Sequence, residues 1–117
     1  MSEKNKAILE EANRAIAEGD NEAFLSFCSD DTEWTFVGEQ TLRGKDAVRR
    51  WMAETYLEPP TFDVHQLIAD GDVVVAIGEI TLPDEAGNPV RHAYCDVWRF
   101  RDGQMAALQA FVVPVTG

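Results

Sequence analysis

A chain of 117 residues is long enough to bury one core and too short to divide into two, and with 45% hydrophobic residues and three tryptophans it is not expected to be disordered. Its net charge of −11, with ten basic residues scattered along the chain, repels nucleic acid and anionic membranes. The polar start from Met1 to Lys6 and the lack of a long apolar run speak against a leader or a membrane span, so a soluble, cytoplasmic protein is expected.

From Ile8 to Ile16 apolar residues recur at helical spacing, with Glu10, Glu11, Asn13 and Arg14 between them, which predicts a first helix. Gly19 supplies its stop, and Asp20 caps a short second helix with Phe24, Leu25, Phe27 and Cys28 turned inward. Ser29-Asp30-Asp31 reads as a break. Thr32 to Val37 is β-branched and aromatic and predicts a strand with Trp34 and Phe36 on one face. Gly38 to Gly44 reads as a loop. Asp46 favours the start of a third helix that carries Ala47, Val48, Trp51, Met52 and Tyr56 on one side and ends at Pro59-Pro60.

Beyond the prolines the pattern changes to strands: 61–69, then the Asp70-Gly71-Asp72 turn, then 73–82. A wider turn, 83–89, leads to the next strand, and Asp102-Gly103 turns the chain into a last one, 104–115. That last strand is apolar on both faces, so a second layer, expected to be another subunit of a homodimer, covers its outer side. Helices followed by an antiparallel meander predict an α+β fold in one domain: a cystatin-like cone of N-terminal helices on a curved, mostly antiparallel sheet. The mouth of such a cone is a natural small-molecule pocket.

The strand that runs through His92, Tyr94, Asp96, Trp98 and Phe100 organises the functional reading. Those five residues share one face, aromatic apart from His92 and a central carboxylate. If that face is covered, Asp96 loses water and shifts towards its neutral, proton-donating form; the competing reading is a carboxylate that merely hydrogen-bonds a neighbour. A partner for acid–base work is sought in Glu79. With Gly87-Asn88 at the centre of the hairpin, Glu79 lies opposite Asp96, and two carboxyls that close share a proton; shift the turn by one residue and Glu79 faces away. Trp34, Phe36, Trp51 and Trp98 are candidate walls. Tyr56 and Tyr94 are candidate donors, His92 a candidate at the rim, and Gln109 either a pocket donor or an interface contact. No group of residues has metal-ligand spacing, no glycine-rich phosphate loop follows a strand, and neither cofactor nor metal is expected. Cys28 and Cys95 are read as packing thiols without chemistry.

The Gly19-Asp20 helix end, the Phe27-Cys28-Ser29-Asp30-Asp31 step, the Trp34 strand, Arg43-Gly44-Lys45-Asp46-Ala47-Val48 and the stretch from Asp96 to Gly103 together resemble the nuclear transport factor 2-like superfamily, and within it the SnoaL-like and ketosteroid isomerase-like branch. The resemblance covers nearly the whole chain. It implies the fold more narrowly than an activity, because the superfamily hosts isomerases, polyketide cyclases, epoxide hydrolases, dehydratases and binding proteins. By this resemblance Asp96 falls where ketosteroid isomerases keep a protonated aspartic acid. Their oxyanion tyrosine would fall at Ala12, their catalytic base at Phe36 and a supporting tyrosine at Met52, while Trp51 takes the place of a pocket aromatic. Steroid isomerisation by the family's route is therefore not expected. The resulting expectation is a protein that binds a small apolar or aromatic carbonyl compound, with cofactor-free isomerase, cyclase or lyase chemistry by proton transfer; the alternative is a binding or dimerisation module without turnover.

Overall fold

The structure is a computed structural model and describes residues 2–57 and 60–115. Among these residues three helices and six strands follow in the order α1 Ser2–Ala17, α2 Asn21–Leu25, β1 Cys28–Phe36, β2 Gln40–Arg43, α3 Lys45–Thr55, β3 Thr61–Asp70, β4 Val73–Pro83, β5 Pro89–Arg101 and β6 Gln104–Pro114. The strands form one sheet in the order β2-β1-β6-β5-β4-β3, antiparallel throughout except where β1 runs parallel to β6. None of the described helices is long and apolar enough to cross a membrane.

Each helix presents its apolar stripe to the inner face of the sheet. On α1 the buried positions Asn5, Leu9, Ala12 and Ala15 fall at spacings of four, three and three. Gly19 sits at φ 81°, a left-handed conformation that glycine adopts without strain, and Asp20 then accepts a hydrogen bond from the Ala23 amide at 3.0 Å to cap α2. On α3 the buried pair Val48 and Met52 is one helical turn apart. Leu9, Phe24, Leu25, Val48 and Met52 from the helices meet Val74 and Met105 from the sheet, all fully or almost fully buried, and each such side chain stabilises the fold by about 1.5–3 kcal/mol.

Four local expectations change. Ser29-Asp30-Asp31 does not break the chain but lies inside β1, where a register irregularity between Cys28 and Glu33 takes up the polar run. Thr32 Oγ1 anchors that irregular stretch by donating to the Met105 carbonyl at 3.1 Å. The segment after Gly38 is not all loop: β2 folds back on β1, pairing Trp34 with Leu42 and Thr35 with Thr41. The β4–β5 turn is centred on Ala86, not on Gly87-Asn88, because the Asp84 carboxylate accepts from the amides of both Ala86 and Asn88 and closes a five-residue loop between Pro83 and Pro89. The α3 stop is set by Tyr56, whose amide still bonds the Met52 carbonyl; Pro59 lies outside the described residues.

Candidate functional site

Alternation along β5 puts His92, Tyr94, Asp96 and Trp98 on the inner face of the sheet, and all four line a cavity of about 430 Å³ between the sheet and the helices. That volume suits a small organic molecule. The hollow exists because the residues beside the central carboxylate are small. Asp96 pairs with Ala76 on β4 and Ala110 on β6, and Tyr94 pairs with Gly78. A Cβ on Gly78 would stand 2.1 Å from the Asp63 carbonyl and 2.9 Å from the Tyr94 hydroxyl oxygen, so only glycine lets β3 and the phenol close over that point.

The walls are aromatic. Trp34, 3% exposed, packs edge-on against Phe24, Phe36, Trp51 and Trp98 with ring centroids 5.6–6.4 Å apart. Phe36 and Trp51 lie closer to parallel, 4.8 Å apart at 32°, and Trp51 leads on to Tyr56 at 5.3 Å. The Trp34 indole N–H is buried and has no hydrogen-bond partner among the described residues. Burial decreases from this floor of Phe24, Trp34 and Trp98 towards a rim that includes His92, Leu82, Glu39, Gln40 and Pro114.

Among the described residues nothing hydrogen-bonds or ion-pairs with the Asp96 carboxyl, and no Lys or Arg lines the cavity. Asp96 keeps some accessibility, but to the cavity, and the surrounding protein takes away most of its water. Desolvation alone therefore drives its pKa from the ordinary 3.8 to about 7. Tyr94 is pushed up to about 12, first by burial and then by the charges of Asp96 and Asp63. Tyr56 is raised as well, by burial first and by Asp96 and Tyr94 after it. Both phenols therefore stay protonated at neutral pH, and Asp96 divides between acid and carboxylate. The result is a group of hydroxyl donors around one spot in an apolar chamber.

His92 differs in that its ring is already held. Its Nδ1 lies 3.0 Å from the Val90 carbonyl, which only accepts, so Nδ1 carries the hydrogen and the neutral ring presents Nε2 as an acceptor.

Two candidates do not join the cavity. With the turn centred on Ala86, Glu79 pairs with Ala93 and Asp96 with Ala76, a displacement that turns Glu79 to the outer face, where Arg91 approaches it at 3.7 Å. Glu79 is thus no partner for Asp96. Gln109 pairs with Val97 and Thr35 on the same outer face and is exposed, so it is not a cavity donor. The other candidates, Trp34, Phe36, Trp51, Tyr56, Tyr94, Trp98 and His92, all line the cavity together with Asp96. Of the positions implied by the family resemblance, Ala12 and Met52 are sealed in the core. Further lining comes from Ile80, Leu82 and Val112, whose inward parity was readable, and from Glu39 and Gln40 at the β1–β2 turn, which no sequence signal marked.

Comparison with known proteins bears on this geometry. No curated protein sequence matches the chain. Among solved structures, Bal32a from a soil-derived mobile gene cassette superposes with a TM-score of 0.85 at 16% identity, covering 95% of this chain and 90% of that one. A putative ketosteroid isomerase from Kribbella flavida gives 0.84 at 18% identity over 99% and 82% of the two chains. An LEH-like epoxide hydrolase from M. tuberculosis gives 0.83 at 18% over 95% and 84%. At such identities the likeness establishes the α+β cone alone. The model of the SnoaL-like domain matches residues 9–108, and with most of the sheet, the second half of α1 and the whole of α2 and α3 inside that match, the chain belongs to the SnoaL-like family of the nuclear transport factor 2-like superfamily.

Proposed function

We propose that this SnoaL-like domain, residues 1–117, binds a compact apolar or aromatic carbonyl compound in the cavity and holds its carbonyl oxygen against the hydroxyl donors of Asp96, Tyr94 and Tyr56. The observation that carries this reading is the unpartnered, desolvated Asp96 carboxyl facing a cavity with aromatic walls. A carboxyl of that kind is neutral about half the time near pH 7 and donates a strong hydrogen bond; when water or hydroxide entering through the rim takes a proton from the carbon next to the guest's carbonyl, the same donors stabilise the enolate oxygen, and reprotonation of carbon from solvent closes the step. Proton transfer of this sort needs no cofactor and covers isomerisation, cyclisation and elimination. A second reading, binding without turnover, is favoured by one observation: Glu79, the expected second carboxyl, faces away from the cavity.

A homodimer belongs to the same proposal. The outer face of the sheet carries a cross-strand row of Ile77, Cys95 and Phe111, with Val97 and Val113 beside it. Phe111 and Val113 are 44% and 59% exposed, an apolar surface of the kind a second copy covers.

The test is a titration of tryptophan fluorescence with benzalacetone, an aryl enone. Saturable quenching that weakens at least fivefold in Asp96→Ala is expected. Deuterium exchange of the ketone's methyl protons, faster with wild type than with Asp96→Asn, separates turnover from binding. Absence of saturable quenching overturns the proposal.

A further inference from the structure

His92 and Asp96 occupy the same cavity face of β5, four residues apart, which along a strand is about 13 Å. Their chemistry is opposite. Asp96, with Tyr94 beside it, offers hydrogens. In its neutral form His92 offers a lone pair at Nε2, because the one hydrogen of that form lies on Nδ1 and is donated to the Val90 carbonyl, and Nε2 has no hydrogen-bond partner among the described residues. Between the two lies the row of Gly78, Tyr94 and Val112, and Ile80, with Phe62 beyond it, stands beside His92, so the acceptor end is set among apolar side chains. The backbone hydrogen bond also fixes the ring, so the acceptor is oriented before a guest arrives.

The 13 Å is a backbone interval; for two side chains that leave the strand side by side, a hydrogen bond of about 2.8 Å at each end then leaves about 7–8 Å between the guest's own polar atoms, the length of roughly two fused rings. No Lys or Arg lines the cavity, and Asp96 and the rim residue Glu39 are acidic, so a carboxylate or phosphate is disfavoured.

Resting on the proposed ketone-binding role of the cavity, we infer that its guest is a neutral, two-ring molecule polar at both ends: a carbonyl acceptor at the Asp96 and Tyr94 end, and a hydroxyl or N–H donor at the other, received by His92 Nε2. A molecule that lacks the second polar group leaves Nε2 facing an apolar atom and loses one hydrogen bond.

The experiment compares 6-acetyl-2-naphthol, 2-acetylnaphthalene and 2-acetyl-6-methoxynaphthalene by isothermal titration against wild type, His92→Phe and His92→Gln. The naphthol is expected to bind wild type about threefold to tenfold more tightly than the other two, and this preference is expected to vanish in His92→Phe. His92→Gln, which keeps an acceptor oxygen, retains part of it. Binding of 2-acetylnaphthalene to each variant reports in the same experiment that the cavity is intact. As a measurement independent of any substitution, the Nε2 nitrogen resonance of His92 in wild type is expected to move with the naphthol and stay in place with the methoxy compound. Equal affinity of all three compounds for wild type, or a preference unchanged in His92→Phe, overturns the two-ended guest while leaving the cavity's ketone-binding role intact. Failure of every compound to bind overturns both.

Discussion

Replacing Asp96 with asparagine keeps the shape and removes the ionisation, which makes the cost of burying this carboxylate measurable. In the unfolded chain the group loses its proton near pH 3.8, in the folded protein only near 7. Between those values the folded state holds a proton that the unfolded state has released, so raising the pH favours unfolding by about 1.4 kcal/mol per unit through this one residue. The stabilising effect of the raised pKa is whole below pH 3.8 and gone above 7. The full difference is on the order of 4 kcal/mol, a large share of the 5–15 kcal/mol typical of a domain. Urea denaturation of wild type and Asp96→Asn at unit steps from pH 4 to 8 reads it directly. The variant is expected to gain on wild type by about 3–4 kcal/mol across that range, with most of the change between pH 4 and 7. A carbon-13 titration of the Asp96 carboxyl gives the midpoint independently. A midpoint near 4, together with a stability difference that does not change with pH, would refute the claim that this carboxyl is desolvated and unpartnered.

Gly78→Ala drives a methyl group into the Asp63 carbonyl and the Tyr94 hydroxyl, and is expected to cost about 2–3 kcal/mol in urea denaturation and to weaken benzalacetone binding, since Tyr94 must move. Glu79→Gln removes a long contact with Arg91, half-buried on the Glu79 side and open to solvent on the other; stability within about 0.5 kcal/mol of wild type and an unchanged Asp96 midpoint are expected, and a displaced midpoint would mean that the two carboxyls do meet. Phe111→Glu places a charge in the apolar outer row of the sheet; light scattering after gel filtration is expected to show a dimer for wild type and a monomer for the variant, while a monomeric wild type would exclude the dimer.

The contrast between Asp96 and Glu79 marks where sequence reading stops. Which face of β5 each residue occupies depends only on alternation, a local property of extended chain, so the grouping of His92, Tyr94, Asp96 and Trp98 was legible, as were the helical stripes of α1 and α3. Partnership across strands depends on register. That register was fixed by one side chain, Asp84, folding back on the amides of Ala86 and Asn88, and the resulting displacement of the turn carried Glu79 to the opposite face. Gln109 stood out as the amide in the middle of an apolar strand, but burial is a property of layers, and its layer lies on the outside.

Alternation and helical spacing therefore determined the α+β order and the aromatic face around Asp96, because both follow from backbone geometry within a few residues. Only the tertiary structure decided that the face stays hollow. A cavity is the joint consequence of small residues on two strands, Ala76 and Gly78 on β4 and Ala110 on β6, meeting Asp96 and Tyr94 of β5 in register under rings brought by helices from elsewhere in the chain. No short stretch of sequence holds that information, since empty space belongs to no residue.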